Sequence, residues 1–192
     1  MSILVRAGDL AGRPVVTLAG ERVAEVKDVI FDRGTAALAG FTLNNPGLFS
    51  RSRNDALPSS GVHGIGSSAV MIPHEGVLVP ADDVAPRRDR KVGDVLADIV
   101  LTESGTAIGT VVDVILEVNP GEATVVGYEV EAASGLPNAG ARVFVPVPAT
   151  LAVSGERLLV PETVTEFIAD DLAGFGAAVD AFRSRLRPEV RS

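Results

Sequence analysis

The sequence predicts a mainly β fold, with two tandem small antiparallel β-barrels followed by a C-terminal amphipathic α-helix. Three observations lead to this prediction. A turn glycine followed by one long strand occurs twice, at residues 20–32 and 105–117. Short strands separated by turn signals, with no helix between them, are typical of a small antiparallel barrel rather than a βαβ sheet. After Pro161 the apolar residues change to helical spacing.

The two copies of the repeat align at an offset of 85 residues, which drifts to 88 along the chain. The four clearest equivalent positions form two pairs, Gly20 with Gly105 and Asp28 with Asp113. The drift falls in loops, where length changes disturb a fold least. The repeat has the size of a small independent module. We therefore predict four segments: repeat one at 1–84, a charged linker at 85–92, repeat two at 93–172, and a C-terminal helix and tail at 173–192.

Each repeat begins as a hairpin. The first strand is predicted at residues 14–18 and the second at 22–31, with Gly20 supplying the backbone freedom that the turn needs. The apolar residues of the second strand do not alternate cleanly, which a β-bulge would correct. The bulge is expected near Ala24-Glu25 in the first copy and near Gly109-Thr110 in the second.

The remaining strands follow in the same order in both copies. A partner strand containing a glycine next to an aromatic residue is predicted at 37–43 and again at 124–130. Strands at 68–72 and 76–79 complete the first copy, and residues 157–160 are the counterpart of the former.

The first copy also carries an insertion between residues 44 and 56. Its apolar side chains, Leu48 and Phe49, are followed by two basic ones, Arg51 and Arg53. An aromatic residue in an exposed loop is a candidate contact site for a partner. The alternative is that Leu48 and Phe49 fold back onto the barrel, and the sequence does not decide between the two.

The C-terminal segment has one apolar stripe with helical spacing: Val164, Ile168, Leu172, Phe175, Val179, Phe182 and Leu186. Gly174 and Gly176 disfavour helix, so a break is predicted there, with a longer helix from about Ala177. An isolated helix of this length is marginal in water, so its stripe must be covered by the protein's own barrels, a second subunit or a partner. The candidate partner-binding residues of the stripe are Phe175, Val179, Phe182 and Leu186.

Charge and composition restrict the function. Repeat two carries 13 acidic and 2 basic residues, which argues against direct nucleic-acid binding and leaves a basic partner, a cation or simple solubility as alternatives. The chain has no cysteine, so thiol catalysis and thiolate metal sites are excluded. No apolar run reaches the roughly 18 residues of a membrane-spanning helix, so we expect a cytoplasmic protein with no membrane span.

Asp28 and Asp113 are the acidic residues that the repeat singles out. They could share a proton or a metal across a pseudo-twofold axis, or accept backbone N–H groups at a bulge, and the second role is favoured because no His, Ser or Lys recurs beside them. The pairs Asp82-Asp83 and Asp170-Asp171 are expected to begin or cap the segment after each barrel. No phosphate loop, metal-ligand spacing or nucleophile motif is present, so we expect no cofactor, no metal and no enzymatic activity.

The repeat resembles the PRC-barrel family. The similarity lies in the Gly-led strand ending in Asp-Val-Ile-Phe-Asp, the Gly-aromatic strand, and the run from Leu57-Pro58 through Ile65-Gly66 to Met71-Ile72. The resemblance implies a six-stranded barrel in each repeat, similar to the cytoplasmic domain of the photosynthetic reaction centre H subunit and the C-terminal domain of the ribosome maturation factor RimM. It also implies an assembly or interaction role rather than catalysis.

Three functions follow as hypotheses. The first is a non-catalytic scaffold that docks a protein partner, or a second copy of itself as a homodimer, through the loop, the acidic repeat or the helix. The second is an accessory of ribosome maturation or RNA processing resembling RimM. The third is a binder of a small molecule or metal between the barrels, for which an added ligand would raise the melting temperature.

Overall fold

The computed structural model describes residues 3–31, 37–44, 55–84, 90–91, 95–119, 122–147, 152–154 and 157–186. The chain folds into two compact units. The first unit consists of Met1–Asp94 with Leu116–Val125, and the second consists of Val95–Ile115 with Val126–Ser192. In the described part of the chain, no helix is long and apolar enough to cross a membrane.

The first repeat folds mainly as strands. They are β1 (Ile3–Arg6), β2 (Pro14–Thr17), β3 (Arg22–Phe31), β4 (Leu38–Asn44), β5 (Asp55–Pro58), β6 (Gly64–Ile65), β7 (Val70–Ile72) and β8 (Val79–Pro80). Helix α1 (Ala81–Val84) and strand β9 (Arg90–Lys91) follow. The sheet order is β6-β7-β2-β3-β4-β5-β8, and β9 pairs with β3. Two residues of the predicted linker are therefore part of a sheet. Of the strand predicted at 76–79, residues 76 and 77 belong to a 3₁₀ turn (Glu75–Val77), and β8 begins only at Val79.

The second repeat has the corresponding elements. Its strands are β10 (Ile99–Thr102), β11 (Ala107–Asn119), β12 (Glu122–Ala132), β13 (Arg142–Pro146), β14 (Ala152–Ser154) and β15 (Arg157–Val160). A 3₁₀ helix (Glu162–Phe167) and helix α2 (Leu172–Leu186) follow. The sheet order is β13-β12-β11-β10-β15-β14. Within the described residues neither strand order closes into a ring, so the six-stranded closed barrels expected from the resemblance are not seen.

One strand pair in each repeat is parallel, which corrects the prediction of purely antiparallel sheets. Strand β2 lies parallel to β7, with Val15 opposite Val70. Strand β10 lies parallel to β15, with Val100 opposite Leu158. These four valine and leucine side chains are fully buried, so the same pair of strands supplies the core at the same place in each repeat. Parallel pairing joins strands far apart in sequence, and local pattern carries no signal for it.

The backbone pairing of the two repeats matches at the 85-residue offset. Gly20 and Gly105 form the hairpin turns with φ of 87° and 86°. In both hairpins one residue of the long strand is bulged out of the pairing, Val23 in β3 and Ile108 in β11. Each bulge comes directly before the pair of residues where the sequence predicted it, which places the later core residues of the strand on the inner face.

A left-handed turn before the first hairpin strand also recurs, but with a different residue. Gly12 has a φ of 79° and donates its N–H to the carbonyl of Val26, 2.8 Å away. Ala97 has a φ of 70° and donates its N–H to the carbonyl of Val111, 2.9 Å away. This conformation strains any side chain with a Cβ atom.

We expect Ala97→Gly to stabilise the second unit by up to about 1 kcal/mol, because the strain relieved exceeds the extra flexibility that glycine gives the unfolded chain. The reverse change, Gly12→Ala, is the matched control and should destabilise the first unit by a similar amount. Urea unfolding of both variants measures the two effects. Equal stability of Ala97→Gly and the parent would contradict the strain.

Helix α2 is continuous, so the break predicted at Gly174 and Gly176 is wrong. The interruption comes earlier, where the backbone of Ala169 exchanges two hydrogen bonds with Phe144 at the edge of β13. Asp171 then caps the helix, since its Oδ1 accepts the N–H of Gly174 at 2.7 Å. The capping role predicted for Asp170-Asp171 is confirmed for Asp171.

Candidate docking surface on the second unit

One face of the parallel pair β10 and β15 is buried and the other is exposed or half-buried, and both faces are mainly apolar. Ile99 lies opposite Arg157, and Leu101 lies opposite Leu159. Successive side chains of a strand point to opposite faces, so these four lie on the outer face while the alternate residues face the core.

The outer face carries adjoining apolar side chains, which we call the outer patch: Ile99, Leu101 and Leu159. Ile99 is 41% exposed, Leu159 is 39% exposed, and Leu101 between them is half-buried. Ala107, the neighbour of Leu101 on β11, is also exposed. Single exposed apolar residues need no explanation, but residues adjoining in register form a continuous apolar surface of the kind that marks interaction sites.

The outer patch is not among the sites predicted from the sequence. The signal was present, because residues 99–101 read Ile-Val-Leu and residues 158–160 read Leu-Leu-Val. A strand with one solvated face alternates apolar and polar residues, whereas these strands are apolar on both faces. The lack of alternation indicates an outer face suited to contact.

Two exposed glutamates follow the ends of β10 and β15, beyond the Leu159 end of the outer patch. The backbone N–H of Glu103 donates to the carbonyl of Val160 at 3.1 Å, which places Glu103 beside the end of β15. Glu162 lies two residues after the end of β15 and accepts a hydrogen bond from the Ser104 hydroxyl, with 2.9 Å between Oγ and Oε2.

Glu162 ends a small network of hydroxyl groups on the hairpin turn. The hydroxyl oxygens of Thr102 and Ser104 lie 2.9 Å apart, and those of Ser104 and Thr106 lie 3.2 Å apart. Hydrogen bonds from Ser104 first, and from Thr102 second, lower the pKa of the Glu162 carboxyl. A hydroxyl that donates to a carboxylate favours its ionised form, so Glu162 keeps its negative charge at neutral pH.

This lowered pKa predicts a pH-dependent contribution to stability. The folded pKa lies below the unfolded value of about 4.3, so the contribution is fully present above the unfolded value and is lost as the pH falls through the folded one. Ser104→Ala should therefore lower the free energy of unfolding modestly at pH 7, and the deficit should shrink as the pH falls below the unfolded pKa of about 4.3. Ser184→Ala is the control, because that hydroxyl donates to the backbone carbonyl of Asp180. A pH-independent deficit for Ser104→Ala would contradict the prediction.

Asp28 and Asp113 take equivalent backbone hydrogen bonds. Oδ1 of Asp28 accepts the N–H of Val29 at 2.8 Å, and Oδ1 of Asp113 accepts the N–H of Val114 at 2.7 Å. In β3, Asp28 follows a second irregularity, because the register with β4 shifts between Val26 and Asp28. Both carboxylates therefore accept backbone N–H groups, which is the structural role that the sequence favoured for them. Among the described residues there is no group of three or more His, Cys, Asp or Glu that could hold a metal ion.

Most of the candidate residues on helix α2 are buried in the second unit. Phe175 and Phe182 are completely buried and Val179 is 4% exposed, whereas Leu186 is 41% exposed. The ring of Phe175 lies 5.6 Å from that of Phe144 on β13. The apolar stripe is thus covered by the protein itself, the first of the alternatives considered, and of the four candidates Leu186 alone offers an exposed side chain.

The loop candidates Leu48, Phe49, Arg51 and Arg53 lie outside the described residues.

The first unit also has an open cleft of about 700 Å³. Three of its lining residues are acidic, Asp55, Glu75 and Asp82. Such a lining would favour a cationic group over an anionic one.

The first half of the chain is similar to a known domain family. The chain matches no curated protein sequence. The PRC-barrel domain family matches residues 3–99, which is 97 of the 192 residues and runs from β1 through the first repeat to the start of β10. The paired strands, turn glycines and Gly-aromatic strand of this region are the features on which the resemblance rested, and the protein belongs to the PRC-barrel family.

Proposed function

We propose that the protein is a non-catalytic interaction module, built from two copies of one barrel-type fold, that docks a protein partner on the outer patch. The observation that carries this proposal is the exposure of Ile99 and Leu159 beside Leu101 on one sheet face. Burying a fully exposed side chain of this size contributes about 1.5–3 kcal/mol. Ile99 and Leu159 are about two-fifths exposed, so covering what remains would contribute about 0.6–1.2 kcal/mol each, and with Leu101 they could anchor a modest protein interface.

The shape of the surface favours a macromolecule over a small ligand. Small-molecule sites are concave and enclose most of their ligand. The outer patch instead lies on the face of a paired sheet, which a protein surface can cover. The non-catalytic part of the proposal is supported by the composition, since the chain has no cysteine and two histidines, His63 and His74.

The test replaces Leu101 and Leu159 together with threonine, which suits a strand but lacks the apolar reach. The tagged parent protein is expected to recover a specific partner from its native cell extract, and the double variant is expected to lose it. Leu18→Thr is the matched control, because Leu18 is a 57% exposed leucine in the first unit, outside the outer patch. Surface substitutions of this kind change stability little, which thermal unfolding verifies. Recovery of the same partner by the double variant would refute docking at the outer patch.

A second candidate function is an accessory role in ribosome maturation resembling that of RimM. The observation that favours it is the excess of 13 acidic over 2 basic residues in the second repeat, which suits basic ribosomal proteins better than RNA. Salt-sensitive co-sedimentation with ribosomal subunits would support this role. Its absence at low salt would leave the general docking function as the better account.

A further inference from the structure

We infer that the segment docked on the outer patch is an amphipathic protein helix with Lys or Arg side chains at the Leu159 end of the patch. This inference rests on the proposed function, and it adds the chemistry of the partner.

The charges around the outer patch are unevenly placed. The backbone of Glu103 lies beside Val160, the last residue of β15, and Glu162 lies two residues beyond Val160, so both follow the Leu159 end of the strand. Arg157 lies two residues earlier on the same strand face, about 6.6 Å away along the strand. The negative potential is therefore concentrated at one end of an apolar surface, and basic side chains of a partner would be drawn to that end.

Both carboxylates are available to a partner. Glu103 and Glu162 are exposed. The Glu162 carboxylate accepts hydrogen bonds from Ser104 and Thr102, but a carboxylate has about four lone-pair sites, so acceptor capacity remains for a cation. The hydroxyl network lowers the pKa of Glu162, so its charge persists well below neutral pH.

The pairing of the strands selects a helix rather than an added strand. Strand β15 is hydrogen-bonded to β10 on one side and to β14 on the other, so it offers no open edge for an incoming strand. An apolar sheet face is instead the surface on which proteins pack amphipathic helices. Acidic borders also disfavour nucleic acid and anionic membrane surfaces, whose phosphates they repel.

The test uses designed helical peptides as probes. One peptide carries a leucine stripe flanked by lysines, the second has glutamates in place of the lysines, and the third keeps the lysines but has serines in place of the leucines. Fluorescence anisotropy measures their affinities for the full-length protein at low and high salt. We expect the leucine–lysine peptide to bind most tightly, with an affinity that falls as salt screens the charges.

Variants then locate the binding. Glu103→Gln with Glu162→Gln should weaken the leucine–lysine peptide about fivefold, because two exposed charge pairs are lost. Glutamine keeps the acceptor for Ser104. Asp9→Asn with Glu21→Gln is the control, since it removes the same charge from exposed residues of the first unit that do not line the acidic cleft.

The possible results separate the two proposals. Equal binding of the lysine and glutamate peptides, equal weakening by the two charge variants, or no weakening by Glu103→Gln with Glu162→Gln would each overturn the basic helix. If Leu101→Thr with Leu159→Thr still abolishes peptide binding in those cases, the outer patch remains a docking surface. If that leucine variant also binds every peptide like the parent, docking at the outer patch fails as well.

Discussion

Replacement of Phe175 with alanine is expected to destabilise the second unit by about 3–5 kcal/mol. The side chain is completely buried, and its ring packs against Phe144 at a centroid distance of 5.6 Å. Its tip lies directly over Gly127 of β12, so the deletion would leave a cavity between helix and sheet that neighbouring atoms fill only in part.

Urea unfolding monitored by circular dichroism measures the Phe175→Ala effect. Leu186→Ala is the matched control on the same helix, because that leucine is 41% exposed and its loss should change the free energy of unfolding by about 0.5 kcal/mol or less. A loss below about 1 kcal/mol for Phe175→Ala would show that α2 is not a core element of the second unit.

Gly127→Ala is the second large effect, with an expected destabilisation of about 1–3 kcal/mol or more. An added Cβ would lie 2.3 Å from Cζ of Phe175 and 2.5 Å from the carbonyl oxygen of Val145. The phenyl ring could shift, but the carbonyl is backbone of β13, which is held by its pairing with β12. The conflict must therefore be relieved by displacing the strand or the helix.

Gly40 is the equivalent glycine of the first repeat, and it is packed as closely as Gly127. A Cβ on Gly40 would lie 2.2 Å from the carbonyl oxygen of Leu57 and 2.7 Å from Cγ1 of Val84 on α1. Gly40→Ala should therefore be about as harmful in the first unit as Gly127→Ala in the second. Gly135→Ala is the control, because nothing lies within 4 Å of its added Cβ. Similar unfolding free energies for all three variants and the parent would contradict the close packing.

Truncation of helix α2 is unsuitable as a test of partner binding. A chain shortened after Leu172 would lose Phe175 and Phe182, both completely buried, and the second unit would be expected to unfold. Loss of a partner by such a chain would not distinguish docking on the helix from loss of the fold. Single-residue changes on exposed faces, such as those at Leu101 and Leu159, avoid this ambiguity.

The sequence predicted the features of the fold that depend on local pattern. The turn glycines, the long strands β3 and β11 and the bulges at their starts all follow from glycine placement and a broken two-residue alternation. The parallel pairs and the sheet orders did not follow, because they join segments more than 50 residues apart.

Tertiary packing also overruled a local preference in helix α2. Gly174 and Gly176 disfavour helix by about 1 kcal/mol each, yet the helix runs through both. The cap from Asp171 and the burial of Phe175, Val179 and Phe182 outweigh that preference. Spacing correctly placed these side chains on one face, but spacing alone could not show that the protein covers them itself.

The candidate site was the least predictable part. The outer patch arises only when two distant apolar strands lie side by side, and its acidic border arises only when Glu162 meets the hairpin turn at Ser104. The lack of alternation was visible in each strand, but nothing in the sequence placed the two strands side by side. Asp28 and Asp113, which the repeat made conspicuous, take backbone hydrogen bonds instead.

Hydroxyl-radical footprinting of the protein, alone and bound to the partner that it captures, tests docking at the outer patch most directly. We expect labelling of Ile99, Leu101 and Leu159 to fall on binding, while the exposed Leu18 and Leu186 serve as internal references and keep their labelling. Unchanged labelling of the outer patch, with protection of Leu18 or Leu186 instead, would contradict the account.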